Sequence, residues 1–143
     1  MPIPDEHREF LQKNRLCVVG FARKAGPPSL SPVYYFLDGE DIVISTTASR
    51  AKARAVRRNP EVTVCVLAES MPFAYLTVYG RGRVVEEGAA DVMMRIGGIM
   101  AGSALPETAR PAIEERARNE GRVVLRITPQ SFFNTQPRAP RTG

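Results

Sequence analysis

Short apolar runs separated by glycine, proline and acidic residues dominate the hydrophobic pattern of this chain. Such runs, rich in Val, Ile and Tyr and bounded by turn residues, are typical of β-strands. They predict six strands, at Leu16–Ala22, Leu30–Leu37, Ile42–Thr47, Glu61–Leu67, Ala74–Glu86 and Arg122–Ile127. Because Pro32 cannot donate to a strand ladder, its strand is expected at a sheet edge or at a bulge. Asp38-Gly39 predicts a hairpin turn.

The longest run, Ala74–Glu86, shows strict alternation of side-chain type. One face carries Tyr75, Thr77, Tyr79, Arg81 and Arg83, and the other carries Leu76, Val78, Gly80, Gly82 and Val84. The two glycines on one face predict a bend or a close backbone approach, as at a barrel corner.

Four segments have helical patterns: Asp5–Asn14, the stretch from near Ser49 to Asn59-Pro60, Ala89–Met100 and Glu107–Asn119. A parallel doubly wound sheet would need a helix after nearly every strand, whereas this chain joins most strands by hairpins. We therefore predict a mainly β, antiparallel six-stranded barrel with short helices. Residues 1–137 are expected to form one domain, and 138–143 a flexible C-terminal tail.

Composition narrows the function classes. The formal charge of +5 favours an anionic partner, but no helix-turn-helix, zinc-finger or aromatic RNA-binding signature accompanies it, so no nucleic-acid partner is expected. No apolar run approaches membrane-spanning length, and the first residues lack a signal-peptide pattern. Cys17 and Cys65 are isolated in apolar runs, which predicts reduced, buried thiols in a cytoplasmic protein.

The segment from Ile44 to Pro60 carries the most informative chemistry. An apolar strand runs into the hydroxyls of Ser45, Thr46 and Thr47, and a short basic helix follows. Free N–H groups at a helix start, beside hydroxyls and the cations Arg50 and Lys52, are suited to binding a phosphate. Two simpler interpretations stay open: Ser49 could be only an N-cap, and the arginines only a solvated face.

Other enzyme chemistries lack their residues. His7 is the only histidine, so a Ser-His-Asp or Cys-His nucleophile system and a histidine-based metal site have little support. There is no Gly-rich dinucleotide fingerprint and no Walker phosphate loop, and no metal site is expected. No side chain is identified as an essential acid or base. A tyrosine such as Tyr35 or Tyr79, or solvent, is the candidate proton donor.

Four motifs occur in a familiar order: Ser31-Pro-Val-Tyr-Tyr-Phe, Ile-Ser-Thr-Thr, the Arg-Ala-Lys-Ala-Arg helix ending in Arg-Asn-Pro, and Val78-Tyr-Gly-Arg-Gly. From about Leu11 to Phe133 the chain resembles the pyridoxamine 5'-phosphate oxidase-like superfamily of split β-barrels, and most closely its small flavin/deazaflavin oxidoreductase branch. The resemblance implies a homodimer with two cofactors bound along the interface.

The resemblance also implies roles for individual residues. Lys52 corresponds to the phosphate-binding lysine, with Arg50 beside it, and Thr46, Ser45 and Thr47 would hydrogen-bond the phosphate or ribityl chain. The strand at the ring system would comprise Ser31, Pro32, Val33, Tyr34 and Tyr35. Tyr75 would reach across from the second subunit.

Differences between this sequence and the family's motifs decide which activity is expected. An Arg-x-x-Leu-Leu-Lys stretch of true pyridoxamine phosphate oxidases is replaced by Leu30-Ser-Pro-Val-Tyr-Tyr35, which argues against vitamin B6 oxidation. The basic helix is more similar to that of proteins using the deazaflavin coenzyme F-420, whose oligoglutamate tail would use Arg54 or Arg57. The expected function is F-420-dependent hydride transfer to a small electron-poor or conjugated substrate. The alternatives are an FMN-dependent oxidoreductase or a non-catalytic flavin-binding protein. Haem is disfavoured because histidines are scarce.

Overall fold

The computed structural model describes residues 2–135. Their strands are β1 (Leu16–Phe21), β2 (Ser29–Tyr34), β3 (Phe36–Asp38), β4 (Asp41–Thr47), β5 (Glu61–Leu67), β6 (Tyr75–Val85) and β7 (Arg122–Asn134). The helices are α1 (Asp5–Lys13), α2 (Ala51–Arg58), α3 (Ala89–Ala101) and α4 (Arg110–Glu120), with a 3-10 turn at Glu107–Ala109. The mainly β, antiparallel barrel architecture is confirmed. The predicted tail at 138–143 lies outside the described residues.

All seven described strands form one antiparallel sheet in the order β2-β1-β5-β6-β7-β4-β3. β2 and β3 follow each other in the chain but lie at opposite ends of this order. The chain passes directly from one sheet edge to the other at Tyr35, so the sheet curls into a split barrel. The prediction that Pro32 lies on an edge strand is confirmed, since β1 is the one described strand that pairs with β2.

The expected count of six strands was wrong, because the predicted strand Leu30–Leu37 is broken at Tyr35. The Tyr35 backbone N–H donates to the Arg15 carbonyl (3.0 Å), and its buried hydroxyl donates to the Leu11 carbonyl (2.7 Å). These two bonds hold the corner under α1. The last strand is also longer than predicted, reaching Asn134 along β6.

The glycines of β6 allow the close approaches that the sequence predicted. A Cβ on Gly80 would lie 2.7 Å from the Thr128 carbonyl oxygen, beside an irregularity in the β6–β7 register. A Cβ on Gly82 would lie 3.1 Å from both Val56 and Val62. Gly82 therefore lets α2 pack against the sheet, which fixes the position of that helix.

Two apolar clusters lie on the two faces of the sheet. The larger fills the barrel and includes Ile42, Ile44, Val56 and Leu125. The smaller lies between the outer face of β4 and α3, and includes Val43. Residues that alternate along β4 therefore point alternately into the barrel and towards α3.

Candidate functional site

The chain corner at Tyr35 separates β2 from β4, and we call the region between their unpaired edges the opening. Within residues 2–135, β3 pairs with β4 only over Asp41–Val43, so the 44–47 end of β4 pairs with β7 alone. β2 diverges from the same corner towards β1. The two strand edges that carry most of the predicted site residues thus have unpaired backbone groups, and β4 ends just before the start of α2.

Lys52 is held on the buried side of α2. It shares this side with Ala55 and Val56, which pack into the barrel core one turn later. Lys52 is only 9% exposed, and no carboxylate pairs with it among residues 2–135. Burial, and then the neighbouring Arg50 guanidinium, lower the pKa of the Lys52 ammonium. A nearly buried cation without a counter-charge is suited to receive an anion.

The three hydroxyls at the end of β4 do not point the same way. Alternation places Thr46 on the barrel face with Ile44, whereas Ser45 and Thr47 lie on the outer face. The Ser45 and Thr46 hydroxyls are buried and have no hydrogen-bond partner in the described structure. The Thr47 hydroxyl lies 3.5 Å from that of Ser49.

A third buried hydroxyl without a described partner is on β2, whose edge borders the opening on the other side. Ser31 on β2 pairs with Val19, whose side chain is in the barrel core, so the Ser31 hydroxyl shares that face. Val33 is on the same face and packs against the core. Tyr34 lies on the opposite face with the smaller cluster, and Pro32 is exposed. Buried polar groups are normally satisfied, so these three hydroxyls indicate a missing polar partner.

The start of α2 supplies further donors. The first helical hydrogen bond runs from the Arg54 N–H to the Arg50 carbonyl (3.2 Å), which leaves the N–H groups of residues 51–53 before it. Arg50, in extended conformation, is the N-cap, and no side chain caps the helix. The N-cap interpretation of Ser49 was therefore wrong. The reason is that the Arg50 N–H bonds to the Thr47 carbonyl (3.1 Å), which delays the helix start.

The arginines of α2 differ in their surroundings. Arg57 lies 3.7 Å from Glu86, and Arg58 donates to the Ala22 carbonyl (3.4 Å). Arg50 and Arg54 are exposed and have no carboxylate partner in the described part of the chain. The cations without a counter-charge are therefore at the beginning of α2, beside Lys52, and not at its end.

Two tyrosines lie outside this arrangement. The Tyr35 side chain is buried, its hydroxyl already donates to Leu11, and burial raises the pKa of its phenol. Tyr35 is therefore a poor proton donor for a ligand, although its backbone is at the opening. Tyr75 lies at one end of β6 and Val85 at the other. Val85 pairs with Val124 on β7, which in turn pairs with Ser45 on β4. Within one protomer Tyr75 does not reach the opening.

A second feature, which no sequence motif predicted, is an open cleft of about 890 Å³ between α1, β3 and α3. Its walls come from segments far apart in the chain, and no local motif marks them.

Cys17 is buried as expected, and burial raises the pKa of its thiol to about 12, whereas Cys65 is only half-buried. Among residues 2–135 no three His, Cys, Asp or Glu residues are grouped to hold a metal ion. No described helix is long and apolar enough to cross a membrane.

Solved structures with the same fold cover almost the whole chain. A conserved hypothetical protein, Rv2991 from Mycobacterium tuberculosis, is 19% identical with a TM-score of 0.80, covering 99% of this chain and 93% of its own. A protein named F420 reductase is 23% identical with a TM-score of 0.72, covering 92% and 98%. A FAD-binding protein from Mesorhizobium loti is 19% identical with a TM-score of 0.61, covering 90% and 89%. At these identities the likeness establishes the fold.

A comparison with curated protein sequences gave no significant match. The sequence profile described as pyridoxamine 5'-phosphate oxidase matches residues 3–136, nearly the full length and slightly more than the range expected from the motifs. The chain belongs to the pyridoxamine 5'-phosphate oxidase family of split β-barrels.

Proposed function

We propose that the opening between β2 and β4 binds the phosphate and ribityl chain of a flavin-type cofactor, and that the protein is an F-420-dependent oxidoreductase. The observation that carries this proposal is the set of unsatisfied groups around the opening. Lys52 is a nearly buried cation without a described counter-charge, and the hydroxyls of Ser31, Ser45 and Thr46 are buried without partners. A phosphate with an attached polyol supplies acceptors for the ammonium and partners for hydroxyls.

The residues have separate tasks in this proposal. Lys52 and the N–H groups at the start of α2 hold the phosphate, aided by the helix dipole. Thr46 and Ser31 bond the polyol from the barrel side, and Ser45 from the outer side. The backbone of residues 31–35 supports the ring system. A bound deazaflavin would supply hydride chemistry, while the protein orients the ring and substrate and excludes water. Solvent is the proposed proton source, because the Tyr35 hydroxyl is already engaged.

The position of Arg54 is the reason for proposing F-420 and not FMN as the cofactor. Both cofactors carry a phosphate, so Lys52 cannot distinguish them. F-420 also carries an oligoglutamate tail, and Arg54 is an exposed guanidinium one turn beyond Arg50 with no described carboxylate partner. Arg57, the other tail candidate, already lies beside Glu86. We therefore assign the tail contact to Arg54.

Two copies are proposed to pack through the uncovered outer face of the sheet. Large apolar side chains are exposed there, one on each of five neighbouring strands: Leu16, Leu30, Leu67, Tyr79 and Phe133. Exposed apolar patches of this kind mark interaction surfaces, and two-fold dimers are the commonest oligomers. Tyr75 borders this face through Phe133 (ring centroids 6.2 Å apart), so it could act in a partner's site. A cytoplasmic location remains part of this proposal.

The test is a titration of the purified full-length chain with F-420 and with FMN at low and high salt. We expect tighter binding of F-420 and a steeper loss of its affinity with salt, because tail contacts are solvent-exposed. Arg54→Gln should weaken F-420 binding and leave FMN binding unchanged. Arg58→Gln, on the same helix but beside Ala22, is the matched control.

The outcomes separate the candidates. Tighter FMN binding, or purification with stoichiometric yellow FMN, would establish the FMN-dependent alternative in place of F-420. Binding of either cofactor without turnover of any acceptor would support a non-catalytic flavin-binding protein. If neither cofactor binds, the assignment of the opening as a cofactor site is wrong.

A further inference from the structure

The open cleft between α1, β3 and α3 has the character of a small-molecule site. Its volume of about 890 Å³ is within the range of ligand pockets. Its apolar walls include Leu11, Phe36, Met94, Ile99 and Leu105. Three arginines also line it, Arg15, Arg95 and Arg110.

The three arginines are not equivalent. Arg15 lies 3.2 Å from Glu69, and Arg110 pairs with both Glu107 and Asp91. Arg95 has no carboxylate partner in the part of the chain that the structure describes. Its guanidinium carbon lies 4.1 Å from the centroid of the Phe36 ring. This cation–π contact occupies the face of the Phe36 ring, and the Arg95 N–H groups, which make no hydrogen bond in the described residues, remain available for an anion.

The wall opposite α1 is built by close packing. The loop after α3 folds back along the helix, and Leu105 lies against Gly97. A Cβ on Gly97 would be 2.6 Å from Leu105 Cδ1, and one on Gly98 would be 3.2 Å from Ala104 Cα. The two glycines therefore allow the loop to contact the helix backbone, which fixes the width of the cleft.

The cleft begins where the cofactor-binding strand ends. Phe36 and Leu37 in its wall directly follow the segment 31–35 that is proposed to support the ring. Tyr34 and Phe36 also belong to the same apolar cluster under α3. A molecule in the cleft therefore lies next to the proposed ring position.

We propose that this cleft is the substrate subsite and that it selects planar, conjugated carboxylates, with Arg95 holding the carboxylate. The substrate role rests on the proposed function, whereas the carboxylate site itself does not. Apolar walls favour a flat hydrocarbon body, and the unpaired guanidinium on Phe36 favours a single carboxylate at one end.

The test measures binding of 2-naphthoate and its neutral analogue 2-naphthamide to the full-length protein without cofactor. We expect the wild type to bind 2-naphthoate roughly 10- to 100-fold more tightly, the scale of charge-assisted hydrogen bonds. Arg95→Gln should abolish this preference while 2-naphthamide binding persists. Arg95→Lys should restore part of it, because charge returns without the planar fork. Arg118→Gln, an exposed arginine outside the cleft, should behave as wild type.

Ile99→Phe tests the location independently, because it narrows the cleft and keeps Arg95. It should weaken binding of both ligands. Equal binding of the two ligands by the wild type, an undiminished preference in Arg95→Gln, or no binding would each overturn the carboxylate site.

Titration of the same variants with F-420 separates this proposal from the proposed function. Arg95→Gln should bind F-420 normally, and 2-naphthoate should shift the absorption of bound F-420 in the wild type but not in this variant. A naphthoate preference without any F-420 binding would refute the proposed function and the substrate role, and would support the carboxylate site. F-420 binding without a spectral shift would refute the substrate role alone.

Discussion

Replacing Lys52 by Met should stabilise the cofactor-free protein and weaken cofactor binding. The Lys52 side chain is largely buried on α2, and its partly buried ammonium has no described counter-charge and lies near the Arg50 guanidinium. Methionine keeps an unbranched apolar side chain against Val56 and has a similar helix propensity. Exchange of buried ionic groups for apolar ones is often stabilising by roughly 1–4 kcal/mol. With one partly buried charge, we expect a gain of about 1 kcal/mol.

The lowered pKa of Lys52 determines how the stability difference between the wild type and Lys52→Met changes with pH. The pKa of Lys52 is lowered in the folded protein relative to an unfolded value of about 10.4. The unfolded chain therefore binds more protons between these two values, and wild-type stability rises with pH across that window. Above about pH 10.4 the lysine is neutral in both states, so its penalty is absent. The stability advantage of Lys52→Met should shrink as pH rises through the window.

Two measurements on each variant provide the assay. Urea unfolding without cofactor gives the free energy of unfolding, and titration gives cofactor affinity. Loss of a hydrogen bond to a charged group should weaken binding by about 1.5–3 kcal/mol. Arg58→Met, which removes an exposed charge at the end of the same helix, should change neither quantity appreciably. If Lys52→Met lowers unfolding stability and leaves cofactor affinity unchanged, Lys52 is a structural residue and the phosphate assignment is wrong.

Three further predictions concern other parts of the fold. Thr46→Val keeps the shape of a buried side chain and removes a hydroxyl that has no described partner, so urea unfolding should show a gain in stability of about 1 kcal/mol, while titration should show cofactor affinity reduced by about 1 kcal/mol. Burial raises the pKa of the Asp41 carboxyl, but hydrogen bonds from Thr128, Arg126 and Arg83 outweigh it and keep the pKa below its usual value. Stability from Asp41 should therefore be present above about pH 4 and be lost as pH falls through the lowered pKa, and Asp41→Asn should flatten this acid limb in unfolding measured against pH. Leu67→Glu on the uncovered sheet face should give a monomer mass by light scattering, whereas Met100→Glu, an exposed apolar position on α3, should not; a monomeric wild type would contradict the proposed dimer.

Local patterns predicted much of this fold because their physical causes are local. Strict alternation in Ala74–Glu86 identified β6 to within a residue at each end. Pro32 marked an edge strand because it cannot donate a hydrogen bond. Gly82 was expected at a close backbone approach, and α2 does pack there through Val56.

The errors arose where contacts distant in sequence decide the structure. The break at Tyr35 depends on hydrogen bonds to Leu11 and Arg15, which an uninterrupted apolar run cannot reveal. The C-terminal end of β7 pairs with β6 although polar and apolar residues do not alternate regularly there. The contact of Arg95 with Phe36 joins a helix to a short strand, so the sequence, which marked Phe36 only as the end of a strand motif, could not reveal its partner.

The distribution of polar groups separates stability from function in this barrel. The core residues around Ile44 and Leu125 are apolar and fully buried, whereas the unsatisfied hydroxyls lie at one opening. Unsatisfied buried groups oppose folding, so nothing in the folding energetics alone favours Ser31 or Thr46 over apolar residues of similar shape. A ligand that satisfies these groups binds only the folded chain and stabilises it by mass action. The same groups that lower the stability of the empty protein would then give the bound form its specificity, which is the arrangement expected of a preorganised binding site and not of a purely structural one.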